Sequence, residues 1–232
     1  MNSKIYKTID TFLIRHHNVI IMSLVIFDGD GVLLDVKEGG FKYLARAIGK
    51  NKEVDELHAE YERRKHLGPW GLEQLADLFK GEKEERIRKI AFTFCKEHLM
   101  PGTSETMTEI RKRKYVIAIL SSNPTIILEE IQKIIGTVDS ISGNELEILD
   151  GVYTGKLARK VDRYVKAQDA LTLIKKLGLP KEKVWIIGDS ITDKAMSEHG
   201  TFIAFNPKKE IEGRTPHVVR VKDLREVLKY IG

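Results

Sequence analysis

Cysteine is almost missing from this chain: Cys95 is the only one among 232 residues. A lone thiol excludes an intrachain disulfide and any CxxC metal site, and it fits a reducing compartment. Long apolar runs are missing as well. No stretch approaches the ~18 consecutive apolar residues that a membrane-spanning helix needs, so no membrane role is expected. The opening segment, MNSKIYKTIDTFLIRHHNVII, has the length of a leader, but Arg15, His16 and His17 break its apolar part and no small-residue cleavage site follows. Export is therefore not expected, and a cytoplasmic setting is. Nor is charge of one sign in large excess, since 39 Lys and Arg face 34 Asp and Glu for a net charge of +5. Nucleic-acid-binding chains concentrate their basic residues. The densest run here, RKRK at 111–114, falls where a helix closes before a strand, and there cations offset the negative end of the helix dipole. Nucleic acid is not expected as a partner. There is no internal repeat and no low-complexity linker, and the length suits one domain with an insertion or two small domains.

What is present is a set of short apolar runs, each stopping at a small or acidic polar residue: SLVIF (23–27) before Asp28-Gly29, YVIAIL (115–120) before SSNP, and KVWIIG (183–188) before Asp189-Ser190. Uniformly apolar strands of this length predict a buried parallel sheet and an α/β fold. Between the first two runs, apolar residues recur at helical spacing, as in Leu72, Leu75, Ala76 and Phe79, then Ile87, Ile90, Ala91 and Phe94. A strand-free helical stretch inside an alternating β/α pattern predicts an inserted helical subdomain over residues 38–100, with the core formed by 22–37 and 101–232. Pro124 and Gly136 bracket a helix over TIILEEIQKII. Asp150-Gly151 predicts a β-hairpin. Further helices are expected over 164–178, through DKAMSEHG and over DLREVLKYI.

The stretch LVIFDGDGVLLD (24–35) sets three carboxylates, Asp28, Asp30 and Asp35, against an apolar run. It is no EF-hand loop, because Val32 and Leu33 stand where an acid or amide and a glycine are needed. It is no dinucleotide fingerprint, and no Walker-type GK[ST] occurs. Read alone, it also suits a plain Asp-Gly turn. The second cluster, GDSITD (188–193), changes the balance, because Asp189 and Asp193 follow another buried strand. Strand ends of an open parallel sheet face one crevice. Four carboxylates there would repel one another unless a hard cation such as Mg2+ sat among them. Ser121 and Ser122 end a third strand and suit an anion, and Lys166 lies near the start of a helix. Acid, metal, hydroxyl and ammonium together suit phosphoryl transfer.

In their order and spacing, DGDGV, the strand ending at Ser121, Lys166 and GDSITD resemble the four motifs of the haloacid dehalogenase superfamily, over about residues 22–232. Within it, ELEILDGVYTG, IAFNPKKEIEG and KDLREVLKYIG are similar to phosphoserine phosphatases. The resemblance implies a Rossmannoid parallel-sheet core with a small helical cap. It implies that Asp28 is the nucleophile, Asp30 the general acid and base, and Lys166 the cation that neutralises charge. It also implies Mg2+ on Asp28, the Asp30 carbonyl and Asp189 with Asp193 in support, and phosphoryl oxygens on Ser121, with Ser122 and Asn123 beside it. Lys156 and Lys160 are left as alternatives to Lys166. The expected activity is a Mg2+-dependent phosphatase acting on a small-molecule phosphomonoester. A phosphomutase of the same superfamily and a non-catalytic phosphate-binding regulator are the competing readings.

The chain departs from phosphoserine phosphatases where those enzymes meet their substrate. Gly31-Val32 replaces Ser-Thr, Lys37 stands at the position of the glutamate that meets the substrate amine, with only Glu38 beside it to substitute, and Asp77 falls near their carboxylate-binding arginine. An acid in place of that arginine repels a substrate carboxylate instead of holding it, so phosphoserine is expected to be a poor substrate. Trp70 is a candidate for a different pocket. Residues 1–21 are expected to be a dispensable extension, packed as a short helix through Ile9, Phe12 and Leu13. Oligomeric state is not readable.

Overall fold

The computed structural model describes residues 23–136, 138–213 and 215–232, so the short helix expected within residues 1–21 lies outside the described residues. The first apolar run forms β1 (Leu24–Phe27), buried throughout. It pairs in parallel with β2 (Val116–Pro124) on one side and with β5 (Val184–Gly188) on the other. With β3 (Ser140–Leu149), β4 (Val152–Arg159), β6 (Thr201–Phe205) and β7 (His217–Val219), the order is β4-β3-β2-β1-β5-β6-β7. Every pairing is parallel except β3 with β4. Those two meet at the expected hairpin, where Asp150 (φ 51°) and Gly151 (φ 76°) give the two successive left-handed residues of a tight turn.

Alternate residues of β1 feed two cores. Leu24 and Ile26 pack with Ala170, Leu173 and Met196, whereas Val25 and Phe27 pack with Leu44, Phe94 and Ile127. A strand covered on both faces has no polar side to show, which is why its sequence reads as a solid apolar run.

Between β1 and β2 the chain is helical: α1 (Gly40–Ala47), α2 (Asn51–Arg64), α3 (Leu72–Asp77), α4 (Glu84–His98) and α5 (Thr103–Lys112). Helix α4 packs along α6 (Thr125–Ile135), the helix that Pro124 and Gly136 bracket. Arg88 of α4 reaches Glu129 and the buried Glu130 of α6 at 3.1 and 2.8 Å. At its other end α4 meets α1, where Phe94 stacks on Tyr43 with ring centroids 4.2 Å apart. The remaining helices are α7 (Arg163–Leu177) and the single turn α8 (Ile191–Lys194).

Three expectations change. Strand β2 does not stop at Leu120 but runs on through Pro124, with a register irregularity after Leu120. The segment DKAMSEHG splits between α8 and a tighter 3-10 stretch, Ala195–His199, and the final helix is 3-10 over Leu224–Lys229. Strand β7 had no sign in the sequence, being a three-residue edge strand without a pattern.

The register sets up the site. Phe27 lies opposite both Ile119 and Ile187, so β1, β2 and β5 finish side by side. Asp28, Ser121 and Asp189 therefore emerge at one sheet edge. The chain fills the sheet on the β2 side of β1 first and then returns to add β5, which makes this edge the switch point where open α/β sheets bind ligands.

Candidate active site

Asp28 leaves β1 with its amide still bonded to the Ile187 carbonyl at 3.0 Å. Its Oδ1 accepts from Lys166 Nζ at 2.7 Å. Lys166 stands on the first turns of α7, which Asp162 caps by accepting from the amides of Tyr164 and Val165 at 2.9 and 3.1 Å. The same ammonium also bonds Asp193 Oδ1, and Lys166 is only 1% exposed. Burial alone would push this lysine's pKa down, but Asp193 and Asp28 together outweigh it and hold the ammonium above its ordinary value. Of the three lysines considered, Lys166 alone enters the site. Lys160 pairs with Glu73 of α3 at 2.7 Å, and Lys156 is exposed.

Asp193 is fully buried and its second oxygen is spent locally, accepting from the amides of Asp189 and Ser190 at 3.1 and 3.0 Å and from the Ser190 hydroxyl at 2.8 Å. Ser190 and Asp193 form a capping box at α8, so this carboxylate locks the loop after β5. Carboxylate oxygens of Asp28, Asp189 and Asp193 lie within 4.8 Å of one another. With both Asp193 oxygens engaged, Asp28 and Asp189 are the pair best able to hold a cation, and Asp193 braces them. Gly31 permits this closeness. Its φ is 76°, and a Cβ there would come within 2.3 Å of Asp189 Oδ2.

Electrostatics gives the same account. Burial pushes Asp28 up, the charge of Asp193 adds to it, and Lys166 opposes both. Burial likewise pushes Asp189 up to about 7, against the pull of Lys208. Buried carboxyls driven toward neutrality fit a site built around a cation, and an all-oxygen set on loops fits a hard ion such as Mg2+.

Asp30 points the other way. Its side chain accepts from the Gly40 amide at 3.1 and 3.2 Å and from Asn123 Nδ2 at 2.9 Å. Asn123 Oδ1 accepts from the Phe41 amide at 3.2 Å. Two otherwise unpartnered amides at the start of α1 are thus satisfied by residues of the sheet edge, which couples the first inserted helix to the acid. Burial pushes Asp30 up to about 6, opposed by the Asn123 bond and reinforced by the charge of Asp28. Among the expected metal residues, the Asp30 side chain is the one outside the cluster. Asn123, expected beside the phosphoryl group, faces Asp30 and α1 instead. It is buried, does not line the cleft, and spends its amide on Asp30 and Phe41. Ser121 and Ser122 do line the cleft.

Two side chains escaped the sequence reading. Lys208, after β6, reaches Asp189 Oδ2 at 2.9 Å, while its amide bonds the Asp189 carbonyl at 2.7 Å. Only its place just past a further buried strand hinted at this. Asn144, within β3, is fully buried. Its Nδ2 donates to the Ser122 carbonyl at 2.6 Å and to the Val161 carbonyl at 3.3 Å, and its Oδ1 accepts from the Val161 amide at 2.8 Å. It ties the end of β2 to the chain entering α7. In sequence it sits in SISGNELEIL, a half-polar run whose second half is not buried, so nothing there marked it out.

The cleft above this edge has a volume of about 510 Å³ and is roofed by α1, α2 and the turn holding Trp70, which is among its lining residues. Asp77 does not. It is exposed, packs beside Gly155 of β4, and faces a separate shallow groove with Glu53, Glu60 and Glu73. Asp77 therefore does not meet a substrate carboxylate in the cleft, contrary to expectation.

A parallel sheet whose central strand delivers one acid to a buried lysine, beside a second acid pair at the switch point, defines the class of Rossmannoid phosphoryl-transfer enzymes. The chain belongs to the haloacid dehalogenase-like hydrolases, whose family model matches residues 22–200. It is 29% identical over 217 residues to a phosphoserine phosphatase of Methanocaldococcus jannaschii, covering 90% of this chain and 97% of that one. A crystal structure of a phosphoserine phosphatase in apo form superposes with a TM-score of 0.76 at 25% identity, over 90% of this chain and 99% of that one. A phospho-aspartyl intermediate analogue of phosphoserine phosphatase gives 0.74 at 25% identity, over 92% and 100%. The expected class, a phosphoric monoester hydrolase using Mg2+, agrees with these matches. No helix among the described residues is long and apolar enough to cross a membrane.

Proposed function

We propose that this chain hydrolyses a small-molecule phosphomonoester through an aspartyl phosphate on Asp28. The observation that carries the reading is the Lys166 ammonium shared between Asp28 and Asp193 at the sheet edge. Asp28 supplies a carboxylate oxygen to phosphorus as the P–O bond to the leaving alcohol breaks, and Asp30 gives that alcohol its proton. Water then attacks the aspartyl phosphate, Asp30 takes its proton, and inorganic phosphate leaves with Asp28 restored. Lys166 offsets the charge gathering on Asp28 and the phosphoryl group, and the hydroxyls of Ser121 and Ser122, which line the cleft, would donate to phosphoryl oxygens. Mg2+, held by Asp28, Asp189 and the Asp30 carbonyl with Asp193 behind them, would neutralise phosphoryl charge and keep Asp28 ionised. Residues 38–100 serve as the cap that closes the cleft.

Within that class we place phosphoserine below other phosphomonoesters. The support is Glu38, the acid nearest the position that would meet a substrate ammonium, which is held by Arg46 Nε and Nη2 at 2.9 and 3.0 Å and does not line the cleft. Phosphoserine is the second reading, and it rests on the matched relatives, which are phosphoserine phosphatases. Purified protein with Mg2+ assayed against phosphoserine, para-nitrophenyl phosphate and sugar phosphates tests both. The expected result is turnover of several esters with phosphoserine among the poorer ones. A specificity constant for phosphoserine above all others would install the second reading. Asp28→Asn should abolish turnover together with any hydroxylamine-sensitive phosphoenzyme, and near wild-type activity in that variant would defeat the mechanism.

A further inference from the structure

A second cavity, of about 230 Å³, lies between α4, α6 and the β3–β4 hairpin and shares no lining residue with the cleft. Its charged lining is four carboxylates, Glu84, Glu129, Glu145 and Glu147, against the single guanidinium of Arg88. That guanidinium is already matched. It pairs with Glu84, Glu129 and Glu130 at 2.7, 3.1 and 2.8 Å. Glu145 and Glu147, both on β3, make no ion pair among the described residues, and the Glu147 carboxylate accepts only from the Thr154 hydroxyl, at 2.6 Å.

An independent observation points to a ligand. Tyr153 of β4 also lines the cavity, is 2% exposed, and its hydroxyl makes no hydrogen bond among the described residues. Burial holds this phenol above its ordinary pKa, and the charges that act on it are those of Glu84, Arg88 and Glu129, all of which line the cavity. The hydroxyl end therefore faces in. A buried hydroxyl without a partner is costly, and a ligand group that bonds it removes that cost. Ile126, Leu146 and Ile148 put apolar wall between the acids. A bare metal ion does not fit this lining. Among the described residues, the acids whose oxygens converge within 4.8 Å in a group of three are Asp28, Asp189 and Asp193, so the glutamates here are too dispersed to chelate. Dispersed carboxylates along an apolar wall suit a cation that is itself extended.

We propose that this cavity is a binding site for an aliphatic diamine or polyamine. One ammonium donates to the Tyr153 hydroxyl oxygen and to Glu84, the other to Glu145 and Glu147, and the methylene chain between them lies on Ile126, Leu146 and Ile148. This goes beyond the phosphatase reading and does not rest on it. Glu84 belongs to the inserted helices and Glu145 and Glu147 to the sheet, so an occupant bridges the two. Pro124 and Thr125 also line the cavity and directly follow Asn123, which holds Asp30, so the bridge forms beside the catalytic edge.

The test is calorimetry and thermal unfolding of the full chain, with Mg2+ present throughout, using 1,4-diaminobutane as the probe. Butylamine, with one ammonium, and Ca2+, a compact dication, are the comparisons. The diamine should bind saturably, one per chain, raise the melting temperature, and bind about tenfold or more tighter than butylamine, the fold-change carried by a hydrogen bond to a charged group. The double variant Glu145→Gln with Glu147→Gln should lose most of that binding and keep the wild-type rate on para-nitrophenyl phosphate. Tyr153→Phe should weaken diamine binding several-fold while the ligand-free protein melts no lower than wild type, because the change removes a hydroxyl that has no partner. A purely structural tyrosine would give the reverse, a lower melting temperature with affinity unchanged, and that result overturns the site. Absence of saturable binding at millimolar diamine, or binding that both variants leave intact, overturns it as well. Ca2+ binding as tight as the diamine's and lost in the same variants overturns the diamine and leaves an acidic patch. If the double variant does not fold, Tyr153→Phe decides alone.

Discussion

Asn123 donates its amide to Asp30 at 2.9 Å, joining two residues 93 positions apart. The same side chain accepts from the Phe41 amide, so one buried group holds the proton-transferring acid and the start of α1 together. Asn123→Leu, which keeps the volume and removes both bonds, should cost about 1–3 kcal/mol of stability, because it strands a buried amide. Turnover should fall about 100-fold, near the lower end of what general acid–base catalysis contributes. The loss should be larger for alkyl phosphates than for para-nitrophenyl phosphate, whose leaving group needs little protonation. Urea unfolding and kinetics on the two ester types measure these effects, and an equal loss on both would mean that Asn123 does not act through Asp30.

The cluster of Asp28, Asp189 and Asp193 predicts a linkage between Mg2+ and folding. A ligand that binds only the folded state stabilises it by about 2.7 kcal/mol at 100 times its Kd. Thermal unfolding should therefore shift upward with Mg2+ and downward with a chelator. In Asp189→Asn the shift should require a higher Mg2+ concentration. A melting temperature indifferent to Mg2+ in the wild type would remove the cation from the site.

Asn144 makes its three bonds inside the fold, with neither water nor substrate needed to satisfy it. Asn144→Leu leaves the Val161 amide and the Ser122 carbonyl without their partners, at a cost of about 2–4 kcal/mol. Because Val161 precedes the cap of α7, the variant that still folds should also lose turnover, through displacement of Lys166. A full-length variant as stable and active as wild type would show that the backbone finds other partners.

Some of this was legible in the sequence, for reasons that are local. The strands around Ile26, Ile119 and Ile187 announce themselves because burial on both faces leaves only apolar residues. Pro124, Gly136 and Asp150-Gly151 mark ends and turns by their own backbone preferences. Asp28 and Asp189 could be read because each directly follows a buried strand, and Lys166 because the order of the motifs resembles the haloacid dehalogenase superfamily. The misread residues depend on what arrives from elsewhere. Asn123 looks identical in sequence whether it faces substrate or Asp30, and the choice is made by α1, more than 80 positions away. Asp77 was aligned by distance along the chain, but the rotation of a six-residue helix decides which way its side chain faces, and α3 turns it outward.

The position of β1 bears on how the chain is made. Leu24 pairs with Val116 on one side and with Val184 on the other, separations of 92 and 160 residues. At translation speeds of about 5–20 residues per second, the first partner follows β1 by roughly 5–18 s and the second by roughly 8–32 s. During that wait an apolar strand sits in the nascent chain with both edges unpaired, while the helices of 40–112 can already form. Sheet closure and carboxylate clustering then occur as one late event. Pulse-labelled chains released before residue 188 should consequently be far more prone to aggregation and chaperone capture than chains released after it.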